Sequence, residues 1–130
     1  MKTTTEIGRF GEDAACSYLK DKKFKILERN YFASHNEIDI IAEDKQYIIF
    51  VEVKTRSCTS PEDMAFGTPA TAVTAAKQKR TLIAAQAYLN THHTKKSPRL
   101  DVIEVYLSKA SPSARPEIIK INHMESAFTN

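Results

Sequence analysis

Three strand-like segments follow one another between Phe24 and Arg56, and the connections between them are too short for anything but a reversal. They are Phe24–Phe32 (FKILERNYF), Glu37–Ala42 (EIDIIA) and Tyr47–Arg56 (YIIFVEVKTR). Parallel neighbours need a crossover of about a dozen residues or more, so the stretch must form an antiparallel meander. The EDKQ at 43–46 is the second of its turns. Everything else in the chain has to pack against this sheet.

The flanking segments have helical spacing. From about Thr5 to Lys22, Ile7, Phe10, Gly11, Ala14 and Tyr18 fall on one face, with Glu12 at the flank of that stripe. A threonine before Glu6 can cap the helix, and Lys20, Lys22 and Lys23 suit its C-terminal dipole. A second helix is expected from about Thr71 to Thr91, with Val73, Ala76, Lys77, Arg80, Ile83, Ala84, Ala87 and Tyr88 on its dominant face. Two basic residues therefore stand inside an apolar stripe. The stretch 57–69 reads as a loop, 92–98 as a linker, Arg99–Leu107 and Glu117–Asn122 as strands, and 108–116 as a polar loop. The order α-β-β-β-α-β-β suits an α/β fold with a mixed central sheet and a helix on each face. It points to one domain over residues 1–130, with its core at about 5–123.

With 42% apolar and 27% charged residues, the chain can support an ordinary globular core. No uninterrupted apolar run approaches the roughly 20 residues of a membrane span. The opening MKTTTEIGRFGEDAA has no apolar signal-like region, and Cys16 and Cys58 lack the Cys-x-x-Cys spacing. The expectation is a cytoplasmic protein with reduced thiols. A net charge of +3 is compatible with a nucleic-acid partner without demanding one.

The placement of charges is more informative. Side chains alternate across a strand. Glu52, Lys54 and Arg56 therefore continue the face begun by Ile48 and Phe50. Likewise Glu37, Asp39 and Ile41 should share a face opposite Ile38, Ile40 and Ala42. If the two strands pair through the short turn, Asp39 comes close to Glu52 or Lys54. Two ionised carboxylates in a partly buried place repel each other, and a divalent cation relieves that repulsion. Carboxylate oxygens suit Mg²⁺ (or Mn²⁺), with waters and phosphate completing the shell. Asp39 and Glu52 are thus candidate metal ligands, with Glu12 completing the site from the first helix. Lys54 can activate water or stabilise developing charge. Arg56, Lys77 and Arg80 are candidates to hold nucleic-acid phosphates, although Lys77 and Arg80 could equally lay their stems over the core. A Glu-x-Lys pair alone signals nothing, since exposed strands carry such pairs at little gain in stability. Asp39 and Glu12 give it meaning.

The motif EID, followed thirteen residues after its Asp by EVK, resembles the PD-(D/E)XK nuclease signature. The helix carrying GRFGEDAA adds the accessory Glu of the Holliday-junction-resolvase-like branch. More closely, GRFGEDAACSYL, ILERNYF, NEIDIIA, FVEVKTR, AVTAAKQKR and RLDVIEV resemble the YraN-type family of uncharacterised bacterial proteins, over roughly residues 8–106. The resemblance implies a restriction-endonuclease-like fold, with Glu12, Asp39, Glu52 and Lys54 as the catalytic set. It also implies Mg²⁺-dependent hydrolysis of nucleic acid, with branched or repair-intermediate DNA as a substrate class, and the pairing of two copies as a homodimer. Family members usually carry Gly before EID. This chain has Asn36, which tolerates a positive φ.

Other charged residues read as peripheral. Glu37 is expected at the rim, Arg99 and Asp101 as an exposed local pair, and His92 and His93 as exposed. His35 and His123 have no partner recognisable in sequence. Lys95 and Lys96 are candidates to extend a basic surface with Lys77, Lys79 and Arg80. Two rivals stand beside the enzyme: a nucleic-acid-binding protein of nuclease fold without catalysis, and a scaffold whose charges form a structural network.

Overall fold

A computed structural model describes residues 4–58, 75–108 and 117–126. Helix α1 (Thr4–Asp21) is followed by strands β1 (Lys25–Ala33), β2 (Asn36–Glu43) and β3 (Tyr47–Cys58). Helix α2 (Ala75–Thr91) then leads to β4 (Ser97–Ser108) and β5 (Ile118–Met124). The order is the α-β-β-β-α-β-β expected, and β4 begins inside the stretch read as a linker. The expected start of the second helix at 71–74, most of the 57–69 loop and the 109–116 loop lie outside the described residues.

The sheet runs β1-β2-β3-β4-β5. Its first three strands form the antiparallel meander, β3 and β4 pair in parallel across α2, and β5 returns antiparallel. Each face buries one helix. Ala14, Ala15, Cys16 and Leu19 of α1 pack on Ile40, Ala42, Ile49, Val51, Ile103, Val105 and Leu107. On the other face Ala84, Ala85 and Tyr88 of α2 cover Ile38, Ile41, Ile48 and Phe50. Neighbouring strand residues thus serve opposite cores, as the alternation of side chains requires. Among the described residues, no helix is long and apolar enough to cross a membrane.

Three local expectations change. Ile38 shares a core with Ile41 and not with Ile40, so the alternation assumed along β2 breaks at Asp39. Opposite that point in β1, Asn30 has a positive φ of 52°, which turns the strand over. In α2 the buried line is Thr81, Ala84, Ala85 and Tyr88. Arg80 and Ile83 are exposed, and only Lys77 of the two basic residues is partly covered. The many alanines of α2 are too small and too evenly spread for sequence to fix the centre of its stripe. Finally, the left-handed backbone of the first hairpin lies at Ser34 (φ 54°) and His35 (φ 64°), with Asn36 already paired to Ala33 in the ladder. Asn36 instead donates its amide N–H to the Ser34 carbonyl at 2.7 Å.

Gly11 is where α1 comes closest to the sheet. A Cβ built there would lie 1.9 Å from Thr55 Oγ1 and 2.9 Å from Thr55 Cβ. The missing side chain lets the helix settle on β3 and brings the next residue, Glu12, down toward the sheet. Gly11→Ala should therefore destabilise the fold by about 1–3 kcal/mol through overpacking, despite alanine's better helix propensity. Conversely His35→Gly, which relieves a left-handed non-glycine residue in a two-residue hairpin loop, should stabilise by about 1 kcal/mol. Thermal melts of the two variants against the parent check both signs, with roughly 3–5 °C expected per kcal/mol in a chain of this size.

Candidate functional site

The β2–β3 ladder runs from Glu43↔Ile48 to Ile40↔Val51. The next step would set Asp39 against Glu52. There the strands part: β2 continues along β1 (Ile38↔Tyr31, Glu37↔Phe32), while β3 continues along β4 from Glu52↔Val102 to Cys58↔Ser108. The freed Val53 N–H donates to Asp39 Oδ2 at 2.8 Å. A side-chain carboxylate has replaced a backbone carbonyl as acceptor, which satisfies the buried N–H and opens the sheet.

Glu52 stands on the far side of this fork and is only 6% exposed. Lys54 Nζ and Lys77 Nζ each lie 3.5 Å from one of its oxygens. Lys77 reaches it from the first turn of α2, where the Thr81 hydroxyl donates to the Lys77 carbonyl at 3.0 Å. The face that begins with Ile48 and Phe50 therefore turns polar where the apolar part of α2 ends. Burial, and then the charge of Glu52, push the Asp39 carboxyl up to about 7, against the lowering effect of the Val53 N–H. Glu12 adds to the repulsion and Lys77 reduces it.

Glu12 is near enough to act on Asp39, but its own contacts point elsewhere. Arg29 Nη2 lies 3.8 Å from its Oε1, and 2.8 Å from Asp13. With its amide oriented to face the acids, Asn30 donates to Glu37 Oε1 (2.8 Å) and Glu12 Oε1 (3.2 Å). Burial raises the Glu12 carboxyl above its ordinary value, partly offset by Arg29. Among the described residues no three or more His, Cys, Asp or Glu side chains are grouped to hold a metal ion. Glu12, Asp39 and Glu52 are thus not gathered as a trio, and of the two glutamates Glu52 acts the more strongly on Asp39. Asp39 and Glu52 still suit Mg²⁺, which commonly takes one or two carboxylates and fills its octahedron with water and phosphate oxygens.

The remaining candidates divide. Arg56 is on the Glu52 face and bonds Glu104 Oε2 through Nε at 2.7 Å. Arg80 is exposed on α2. Glu37 is exposed, as a rim residue should be. Lys96 pairs with Glu43 at the opposite end of β2, so it does not extend a basic surface here. Arg99 and Asp101 are not an exposed pair: Asp101 is fully buried and receives two 2.9 Å bonds from Arg99. His123 completes that cluster, with Nε2 2.7 Å from Asp101 Oδ2 and Nδ1 3.1 Å from the Tyr18 hydroxyl. His123 was unreadable because its partners lie 22 and 105 residues away. Glu104, Tyr106 and Asn122 escaped notice too. The one available signal was an acid in the middle of the apolar run VIEVYL.

Comparison with known proteins matches residues 11–105 to a family model described as "Uncharacterised protein family UPF0102". A UPF0102 protein of Chlorobium chlorochromatii is 44% identical over 126 residues, covering 97% of this chain and 93% of the relative. One from Caldanaerobacter subterraneus subsp. tengcongensis is 41% identical over 123 residues, covering 94% and 93%. Another, from Clostridium botulinum strain Loch Maree, is 41% identical over 117 residues, covering 88% and 91%. With half the chain and more inside the family model and such relatives aligned nearly end to end, the chain belongs to the uncharacterised protein family UPF0102.

Proposed function

We infer that this protein is a metal-dependent nuclease that hydrolyses phosphodiester bonds of nucleic acid. The observation that carries the reading is the placement of Asp39 and Glu52 at the fork of β2 and β3, where the Val53 N–H holds the Asp39 carboxylate and where burial, then the charge of Glu52, push that carboxyl up to about 7. The two carboxylates repel each other, and a divalent cation held by both relieves that repulsion. The resemblance of EID and EVK to the PD-(D/E)XK signature supports the same conclusion.

Asp39 and Glu52 would hold the cation, Mg²⁺ or Mn²⁺, which when bound supplies Lewis-acid polarisation of a phosphoryl oxygen. The Val53 N–H fixes the Asp39 carboxylate in place. Lys54 lies close enough to Glu52 to stabilise negative charge building on the phosphoryl group. Lys77 and Arg56 supply further positive charge along the same face, and exposed Arg80 extends it on α2. Glu12 tunes the site electrostatically from α1. Branched DNA is the substrate class to test first, and two cuts on a symmetric junction would call for two copies of the chain.

One observation favours the binding-only alternative. Glu52 already has two ammonium groups at 3.5 Å, so its own charge is offset without any metal. The two readings part on cleavage. Asp39→Ala and Glu52→Ala should each lower Mg²⁺-dependent cleavage of single-stranded, duplex, flap or four-way DNA by at least about a hundredfold, while leaving salt-sensitive binding in place. Purified wild type that cuts none of these substrates with Mg²⁺ or Mn²⁺ would leave only the binding reading.

The raised Asp39 carboxyl gives a second test that needs no substrate. Between about pH 4 and 7 the native chain keeps a proton that the unfolded chain has released. This contribution to stability is therefore present at low pH and lost as pH rises through about 7. Asp39→Asn retains an oxygen for the Val53 N–H and cannot ionise. Its melting temperature relative to wild type should rise between pH 5 and pH 8. At pH 8, Mg²⁺ at 100 times its dissociation constant should stabilise wild type by about 2.7 kcal/mol, and Asp39→Asn far less. Equal responses in calorimetry would remove Asp39 from the metal site.

A further inference from the structure

Beyond the carboxylate pair, the same sheet face carries a second polar assembly. Cross-strand register sets it out in levels. Glu52 lies beside Val102 and Met124, Lys54 beside Glu104 and Asn122, and Arg56 beside Tyr106 and Lys120. Glu104 is fully buried, with no exposed surface. Its Oε2 accepts from Arg56 Nε at 2.7 Å. Its Oε1 accepts from the Tyr106 hydroxyl at 2.7 Å and from Asn122 Nδ2 at the longer 3.5 Å. Burying a carboxylate is costly, and a well-packed apolar residue would serve stability as well or better.

The chain holds an internal contrast. Arg99 meets the buried Asp101 with two parallel bonds of 2.9 Å, through Nε and Nη2, and its side chain is 10% exposed. That is how a guanidinium is used up in a structural pair. Arg56 meets the equally buried Glu104 through Nε alone and is 38% exposed. Among the described residues its Nη atoms bond no acceptor, and that edge of the fork suits a phosphate. Arg56 also stands four residues along β3 from Glu52, roughly 13 Å at the rise of an extended strand. That is too far for both to hold one phosphate, so the two would meet different phosphates of a strand.

We propose that Glu104, Tyr106 and Asn122 are positioning residues that lock Arg56 by its Nε and aim its terminal nitrogens at a backbone phosphate of a polynucleotide, a different phosphate from the one at the Asp39–Glu52 pair. Lys120, exposed at the same level on β5, lies on the path such a strand would take. The proposal rests on the nucleic-acid reading of this face and gives it a direction, from β3 across β4 to β5.

Binding in EDTA tests it without any cleavage, using fluorescence anisotropy of labelled single-stranded and duplex DNA 20-mers at several salt concentrations. Arg56→Ala should weaken binding about tenfold and reduce the single-strand salt slope by about 0.7, the value of one phosphate contact. Glu104→Gln decides the matter by its sign. It removes a negative charge, so simple electrostatics gives tighter binding, whereas loss of positioning gives binding about threefold weaker or worse. Tyr106→Phe, which deletes one hydroxyl and keeps the ring, should weaken binding in the same direction and carries the test if Glu104→Gln does not fold. Glu104→Gln should add nothing in an Arg56→Ala background, and Arg56→Lys should not restore wild-type affinity. Wild-type or tighter binding by the folded Glu104→Gln and Tyr106→Phe variants would overturn the proposal, as would an additive double mutant. Wild type that binds neither DNA would overturn it together with the nucleic-acid reading. Wild type that binds while Glu104→Gln is indifferent would overturn this inference alone.

Discussion

The hydrogen bond from the Val53 N–H to the Asp39 carboxylate is the contact on which the candidate site depends. A β-ladder ordinarily continues until one strand ends. Here β2 and β3 both continue, each with its outer neighbour, and separate after Ile40↔Val51. The separation would strand a partly buried donor if the side chain of Asp39 did not accept from it. The same bond fixes a carboxylate where the charge of Glu52 acts on it and, with burial, raises it. A structural need and a chemical one thus meet in a single residue.

The two helices then decide what surrounds the pair. α1 comes close only because Gly11 leaves room against Thr55, and this closeness brings the Glu12 charge within reach of Asp39. α2 covers the opposite face with Ala84, Ala85 and Tyr88, then runs out of apolar side chains toward its N-terminus, where Lys77 meets Glu52. The polar end of the sheet face is a consequence of where that helix stops insulating it. Beyond the helix, β4 and β5 add Glu104, Tyr106 and Asn122 to the face, so polar side chains continue across three strands instead of ending at β3.

Two buried carboxylates in β4 show how similar parts serve different ends. Asp101 on the α1 side is satisfied by Arg99, His123 and the Ser126 N–H, and its carboxyl is held below its ordinary value by those bonds despite burial. The cluster ties β5 and the turn after it to β4, and through Tyr18 to α1. Glu104 on the α2 side engages its arginine at one atom and leaves the guanidinium partly in solvent. The first arrangement closes on itself; the second faces outward.

Much of this was legible in the sequence because it depends on neighbours along the chain. The meander followed from short connections and the element order from periodicity. Errors arose where a local rule met a tertiary one. The alternation of β2 breaks at Asp39, opposite the positive φ of Asn30 in β1, which separates Ile38 from Ile40, and the many alanines of α2 leave its buried line undefined by sequence, so that Arg80 is exposed instead of inside the stripe. Sequence by itself determined which residue types stand at which strand positions, and hence that acids and bases would emerge at one end of β3. Only the tertiary structure decided that Glu12 would turn toward Arg29, that Asp101 would be buried with His123, and that Glu104 would hold Arg56. Those contacts join residues that the chain separates by 17, 22 and 48 positions, through helix docking, antiparallel β4–β5 pairing and parallel β3–β4 pairing, and no local periodicity encodes the distance between them.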